Sequence, residues 1–151
     1  MNSTSVDEPG REFVDSNVLV YSVDRAQGRK ATRAAQLIDE LWKRRTGCLS
    51  IQVLQEFFVT VTTRLPKSLS VSDATTRVAE LAEWRLHSPG SRDLLSAIDL
   101  HKKLRISFWD AMIVQSARRL ECRVLWTEDL NDGQRYGGVL VRNPFLDLVM
   151  E

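Results

Sequence analysis

Cysteine, histidine and proline are all scarce here: the 151 residues hold two Cys, two His and four Pro. Cys48 and Cys122 fall in no CxxC or Cys/His ligand spacing and have apolar neighbours, which predicts buried free thiols rather than a bridge. His87 and His101 belong to no HExxH or HxE pattern, so zinc is disfavoured and a surface or loop position is expected for both. Neither sign of charge is in excess, with 21 Lys+Arg against 20 Asp+Glu and a formal net charge of +1. A strongly basic coat for non-specific nucleic-acid binding is thereby excluded, and any polyanion must meet a local patch. The GxSxG elbow, the GxxxxGK[ST] phosphate loop and the GxGxxG turn are missing, which leaves acyl transfer, P-loop nucleotide hydrolysis and dinucleotide binding without a carrier. The one apolar run of note, around Phe57 to Val61, is far short of the ~20 residues a membrane-spanning helix needs. Met1 to Glu8 show no basic region followed by an apolar one, so no signal peptide is expected and a cytoplasmic, reducing compartment fits.

What is present is an ordinary globular composition, 43% hydrophobic and 27% charged, on a chain long enough to bury roughly 70% of its unfolded surface as one domain. Residues 1–10 are polar, contain Pro9-Gly10 and carry no periodicity, which predicts a flexible lead-in before a single domain over 11–151. Phe13-Val14 reads as a short buried strand that runs into the polar turn Asp15-Ser16-Asn17, with a helical or irregular segment after it. Apolar residues three and four apart predict a helix over Lys30 to Arg45, ended by Thr46-Gly47, and the strand Cys48-Leu49-Ser50 follows. Further helices are expected from Gln52 to Arg64, from Ser72 to Glu83 with Ser70 or Ser72 as cap, from Arg92 to Leu104, and from Ser107 to Leu120. Ser107 and Asp110 have capping-box spacing. Val124 to Trp126 and Val139 to Val141 read as strands on either side of a polar loop, Thr127 to Gly138. Short strands separated by helices predict an α/β fold, a small parallel sheet of four or five strands flanked by helices on both faces.

In such sheets the functional cleft lies beyond the carboxyl ends of the strands. Four acids stand there: Asp15 after the first strand, Glu56 shortly after the second, Asp110 in the first turn of a helix, and Asp129 after Val124 to Trp126. Taken singly, each has a structural reading, as turn residue, exposed helix face, helix cap and loop acid respectively. Taken together, adjacent carboxylates cannot all stay ionised without a cation, and a hard divalent ion such as Mg²⁺ or Mn²⁺ suits an all-oxygen set. Trp42, Phe57, Phe58 and Trp109 sit at helical positions and are expected in the core or a subunit contact rather than as a base-stacking platform.

Four segments resemble, in order, the motifs of the PIN-domain ribonucleases, and in particular the VapC-like toxins of type II toxin–antitoxin pairs. Phe13-Val14-Asp15-Ser16-Asn17-Val18-Leu19 is similar to the opening motif, and Ser50 to Phe57 to the second, centred on Glu56. Ser107-Phe108-Trp109-Asp110-Ala111 resembles the third, and Thr127 to Gln134 with Val141 to Phe145 the fourth and the C-terminus. The resemblance implies a PIN-like three-layer fold and a metal-dependent endoribonuclease whose Asp15, Glu56, Asp110 and Asp129 surround one or two Mg²⁺ or Mn²⁺ ions. It also implies Ser16 and Thr127 as hydroxyl neighbours and Asp132 as a further acid. Implied partners are an RNA substrate, a second copy in a homodimer, and a small antitoxin whose C-terminal segment covers the site. Arg25, Arg29, Lys30, Arg33, Arg64 and Arg135 are candidates for a basic rim holding RNA, although solvated helix faces explain most of them equally well. An RNA-processing or DNA-directed PIN nuclease and a catalytically silent PIN-like interaction domain are the alternatives. A receiver-like signalling module fits poorly, since the chain lacks an acidic pair before the first turn and a Lys after a late strand.

Overall fold

The computed structural model describes residues 10–148; the expected lead-in, all but its last residue, lies outside that range. β1 (Glu12–Val14) leads directly into α1 (Ser16–Val23), a short 3₁₀ turn (Arg25–Gln27) and α2 (Arg29–Arg44). β2 (Gly47–Ser50), α3 (Ile51–Thr63) and α4 (Val71–Leu81) follow, then β3 (Arg85–His87), α5 (Ser91–Leu104) and α6 (Phe108–Arg119). β4 (Val124–Trp126), β5 (Arg135–Tyr136) and β6 (Val139–Arg142) complete the order. Side-chain hydroxyls start three of the helices: Ser50 accepts from the Val53 N–H, Ser70 from Asp73 and Ser107 from Asp110. Each satisfies one of the amides that a helix start leaves without a partner.

The sheet order is β3-β2-β1-β4-β6-β5, with parallel pairing throughout except for the antiparallel β5–β6 pair. Every residue of β1 and β2 is buried. Successive strand side chains point to opposite faces, so both faces of the sheet centre are covered, as a parallel sheet requires. The cover comes as two helical groups: α1 packs against both α2 and α3, with α4 on α3, and α5 pairs with α6, which also meets β2, β4 and β6. Phe13, Leu49, Phe57, Val114 and Leu125 lie at the centre of the core. The chain runs outward from β1 to β3 and then crosses back to lay β4 on the other side of β1. The strand order therefore reverses between β1 and β4, which is where an open α/β sheet leaves a crevice at its carboxyl edge.

Several expectations are corrected by the structure. The sheet has six strands, not four or five, because both edges carry a strand with almost no apolar pattern: Arg85-Leu86-His87 and the two-residue Arg135-Tyr136. The helix over 29–44 ends on Arg45, which takes the left-handed conformation (φ 59°), and not on Gly47. Gly47 belongs to β2, where the Trp84 ring lies so close that an added Cβ would sit 2.4 Å from it. Phe57 is core and Phe58 partly so, whereas Trp42 is 42% exposed and Trp109 61% exposed. Cys48 and Cys122 are free and buried, as expected. No helix among the described residues is long and apolar enough to cross a membrane.

His87 is buried on β3, contrary to the surface position expected of it. Its Nε2 lies 3.3 Å from Asp93 Oδ2 and its Nδ1 2.8 Å from Ser116 Oγ. An ionised Asp93 only accepts, so Nε2 carries the proton and Nδ1 receives the serine O–H. The three residue types are those of a hydrolytic triad, but Ser116 has no exposed surface and its proton is already committed, so the set is scaffold. Asp93 also accepts from the Gly90 N–H, the Gln115 amide and Arg119. Burial pushes its pKa up, yet these partners together with His87 outweigh it and hold the carboxyl at about 2. Burial pushes His87 down despite the neighbouring Asp93. Both shifts make the fold more stable at higher pH: the Asp93 contribution is complete above 3.8 and disappears as pH falls through about 2. D93N is expected to cost about 2 to 3 kcal/mol near neutral pH. In thermal melts the gap to wild type should close as pH falls from 4 towards 2, and a gap of full size at the acid end would contradict the assignment.

Candidate metal centre

The crevice between β1 and β4 is built by the two strands' last turns. Asp15 follows β1, caps α1 by accepting from the Ser16 N–H at 2.7 Å, and extends the ladder through its own N–H to Trp126 O. Thr127 follows β4, is fully buried, and donates its hydroxyl to Asp15 Oδ2 at 2.8 Å. The direction of that bond is fixed, because Thr127 Oγ1 already receives the Asp129 N–H at 3.1 Å and Asn17 Nδ2 at 3.4 Å. Asn17 Nδ2 also donates to Asp129 Oδ2 at 2.9 Å. Asp110 arrives from α6, where Ser107 caps the helix and leaves the acid in its first turn, close to the positive end of the dipole. One carboxylate oxygen from each of Asp15, Asp110 and Asp129 lies within 4.8 Å of the other two.

Glu56 stands beside this group rather than in it. Its Oε1 accepts from Ser16 Oγ at 3.1 Å, so Ser16 binds Asp15 through its backbone and Glu56 through its side chain. Asp132 is not brought to the site: its Oδ1 accepts from the Asn143 N–H at 2.8 Å and pairs with Arg142 Nε at 3.5 Å, tying the loop after β4 to the C-terminal segment. Two of the rim candidates are engaged elsewhere, Lys30 with Glu128 and Arg33 with Pro144 O and the Trp126 ring. Arg25, Arg64 and Arg135 are exposed.

The family model for the PIN domain matches residues 13–135. The chain belongs to the PIN-domain family. A comparison with curated proteins gave no match. Among solved structures, a chain of a toxin–antitoxin complex from Klebsiella pneumoniae is 17% identical, with 88% of this chain and 97% of that one covered and a TM-score of 0.64. A Mycobacterium tuberculosis VapC toxin described as cleaving the sarcin–ricin loop is also 17% identical, covering 76% and 86% with a TM-score of 0.56. A VapBC complex from Rickettsia felis, bound to a DNA fragment from its promoter, gives 17% identity, 87% and 97% coverage, and a TM-score of 0.61. At these identities the likeness is one of fold.

In this PIN domain the acids are held under electrostatic tension. Burial raises the Asp15 pKa to about 7, with Asp129 and Glu56 adding to the rise and the bonds from Thr127 and Ser16 opposing it. Asp110 is pushed up as well, first by burial and further by Asp129, against the Ser107 hydroxyl. Two amides that the sequence does not mark as site residues complete the surroundings. Asn17 stands out there only as part of a motif, and Gln52 only as the start of a helix. Each turns its nitrogen to an acid, and each has a buried carbonyl oxygen, Asn17 Oδ1 and Gln52 Oε1, without a hydrogen-bond partner among the described residues. Buried acceptors lacking donors, beside a cluster of carboxylates, are what a hydrated cation would satisfy.

The raised Asp15 pKa gives a stability effect of known sign. The neutral acid suits the metal-free fold, so stability is fully present below 3.8 and is lost as pH rises towards about 7. D15N is therefore expected to stabilise the protein in chelator. The gain should grow from pH 4 to pH 7 and then level off, with an upper limit of roughly 4 kcal/mol. Thermal melts across that range test this, and a gain that is flat or that shrinks with rising pH would contradict it.

Proposed function

We propose that this PIN domain is a metal-dependent endoribonuclease that acts in the cytoplasm as the toxin of a type II toxin–antitoxin pair. The observation that carries the reading is the convergence of Asp15, Asp110 and Asp129 oxygens to within 4.8 Å at the strand-order reversal. The donor set is hard oxygen throughout and fits Mg²⁺ or Mn²⁺ rather than zinc. Asp15 and Asp110 are the principal ligands, with Asp129 and Glu56 completing the site or orienting water. When bound, the cation supplies positive charge to a phosphoryl oxygen and acidifies a water.

The chain's own residues do the rest. Thr127 and the Ser16 N–H hold Asp15 in its ionised orientation, and Asn17 does the same for Asp129. The cleft itself is acidic, so RNA is held by basic side chains around it, among which Arg25, Arg64 and Arg135 are exposed. The related structures support the toxin reading, since one is described as a toxin–antitoxin complex, one as a sarcin–ricin-loop-cleaving toxin and one as a promoter-bound VapBC complex. On that reading the chain forms a homodimer, and a small antitoxin neutralises it by covering the acids, a contact that an Arg of the antitoxin would satisfy by charge.

The direct test incubates wild type and D110N with structured RNAs and, in parallel, with DNA, in Mg²⁺, Mn²⁺ or chelator. Wild type should cut RNA only with metal, and D110N should be slower by roughly 100-fold or more. Metal-independent cutting, or D110N at wild-type rate, would overturn the assignment; cutting of DNA alone would move it to a DNA-directed enzyme.

A further inference from the structure

Gln52 lies in the first turn of α3, with 9% of its surface exposed. Its Nε2 is 3.4 Å from Glu56 Oε2, one turn along the same helix, and 3.4 Å from the backbone oxygen of Trp109, the residue before Asp110. Both neighbours only accept, so the amide has no choice of orientation: nitrogen faces them and oxygen faces away. That oxygen is shielded from solvent and has no donor among the described residues. We propose that Gln52 is a positioning residue of the cation site, which ties Glu56 to the start of α6 and thereby fixes Glu56 relative to Asp110.

A position that served the scaffold alone would be filled differently. Around Gln52 the buried residues that α3 and α6 contribute are apolar, among them Val53, Phe57, Ala111 and Val114. Methionine or leucine at position 52 would fill a similar space and leave no orphan acceptor. A buried oxygen without a donor lowers stability, and a residue that keeps one is retained for something other than packing. The geometry supplies that purpose. Glu56 has one oxygen on Ser16 and the other on Gln52, so each of its two oxygens is held by one donor and keeps a free lone pair. Asp110 reaches the cluster from a helix whose first turn is linked to α3 by the same amide.

The inference rests on the metal reading of the centre, and its test is chosen to separate the two. Wild type and Q52M, as full chains, are melted in chelator and then titrated with Mn²⁺, followed by loss of the free-ion paramagnetic resonance signal. Q52M is expected to melt at or above the wild-type temperature while its Mn²⁺ dissociation constant rises by roughly tenfold. A merely structural role predicts the opposite pattern, a lower melting temperature with Mn²⁺ affinity unchanged, and that result would overturn the proposal. Weaker binding accompanied by a lower melting temperature would likewise assign Gln52 to the scaffold. Should Q52M not fold, Q52L, which is shorter, carries the same test. Wild type that binds no Mn²⁺ would overturn the metal reading itself, and this proposal with it; wild type that binds while Q52M binds equally well would remove only the role of Gln52.

Discussion

A single buried carboxylate organises this molecule. Asp15 sits where β1 ends and the strand order reverses, so it is enclosed by sheet, by α1 and by the loop after β4. Enclosure makes its charge costly, and the structure offsets only part of that cost, through one hydroxyl and one backbone amide. Asp110 and Asp129 are then added at close range, and the charge of Asp129 pushes both Asp15 and Asp110 further up. A protein selected for stability alone would not collect three acids around a buried strand end, with Asp15 itself buried. The arrangement makes sense as a set of ligands held ready, with folding free energy given up for affinity.

The remaining architecture follows from the need to deliver these side chains to one point. β1 and β4 must be adjacent and parallel, and that requires a crossover between them, here the whole segment from β2 to α6. α6 must start at the crevice, which the Ser107 cap determines to the residue. Its far half is anchored from below by Ser116, Gln115 and Arg119, which meet His87 and Asp93 and lock α6 to β3 and α5. One polar network thus holds the scaffold side of α6 while the acidic one occupies its beginning. The C-terminal segment closes the opposite flank, through Asp132, Arg142 and Asn143, and through Lys30 lying between Glu128 and the Tyr21 and Phe145 rings.

The central part of this is legible in the sequence because its signals are local. Phe13-Val14 ends abruptly at a polar turn, Ser107 and Asp110 have cap spacing, and Asp129 follows an apolar triplet, so residue order alone places three of the acids at element ends. The edge strands β3 and β5 are not legible: they are short and half polar, and they pair only because a neighbour offers a free ladder. The burial of His87 is hidden for a related reason, since its partners Asp93 and Ser116 are 6 and 29 residues away and nothing near it marks an interior position. Asp132 looks like Asp129 in sequence, and only the path of the C-terminal segment separates them. Asn17 and Gln52 carry no sign of their role until the acceptors around their nitrogens are known.

The central claim is that Asp15, Asp110 and Asp129 hold a divalent cation in the crevice between β1 and β4. Crystals of the protein soaked in Mn²⁺, with diffraction collected at the manganese edge, would locate the ion directly. The account predicts an anomalous peak in contact with carboxylate oxygens of Asp15 and Asp110 and near Asp129, and its loss in D15N. A fully occupied peak elsewhere, or a well-ordered crevice holding only water at millimolar Mn²⁺, would contradict it.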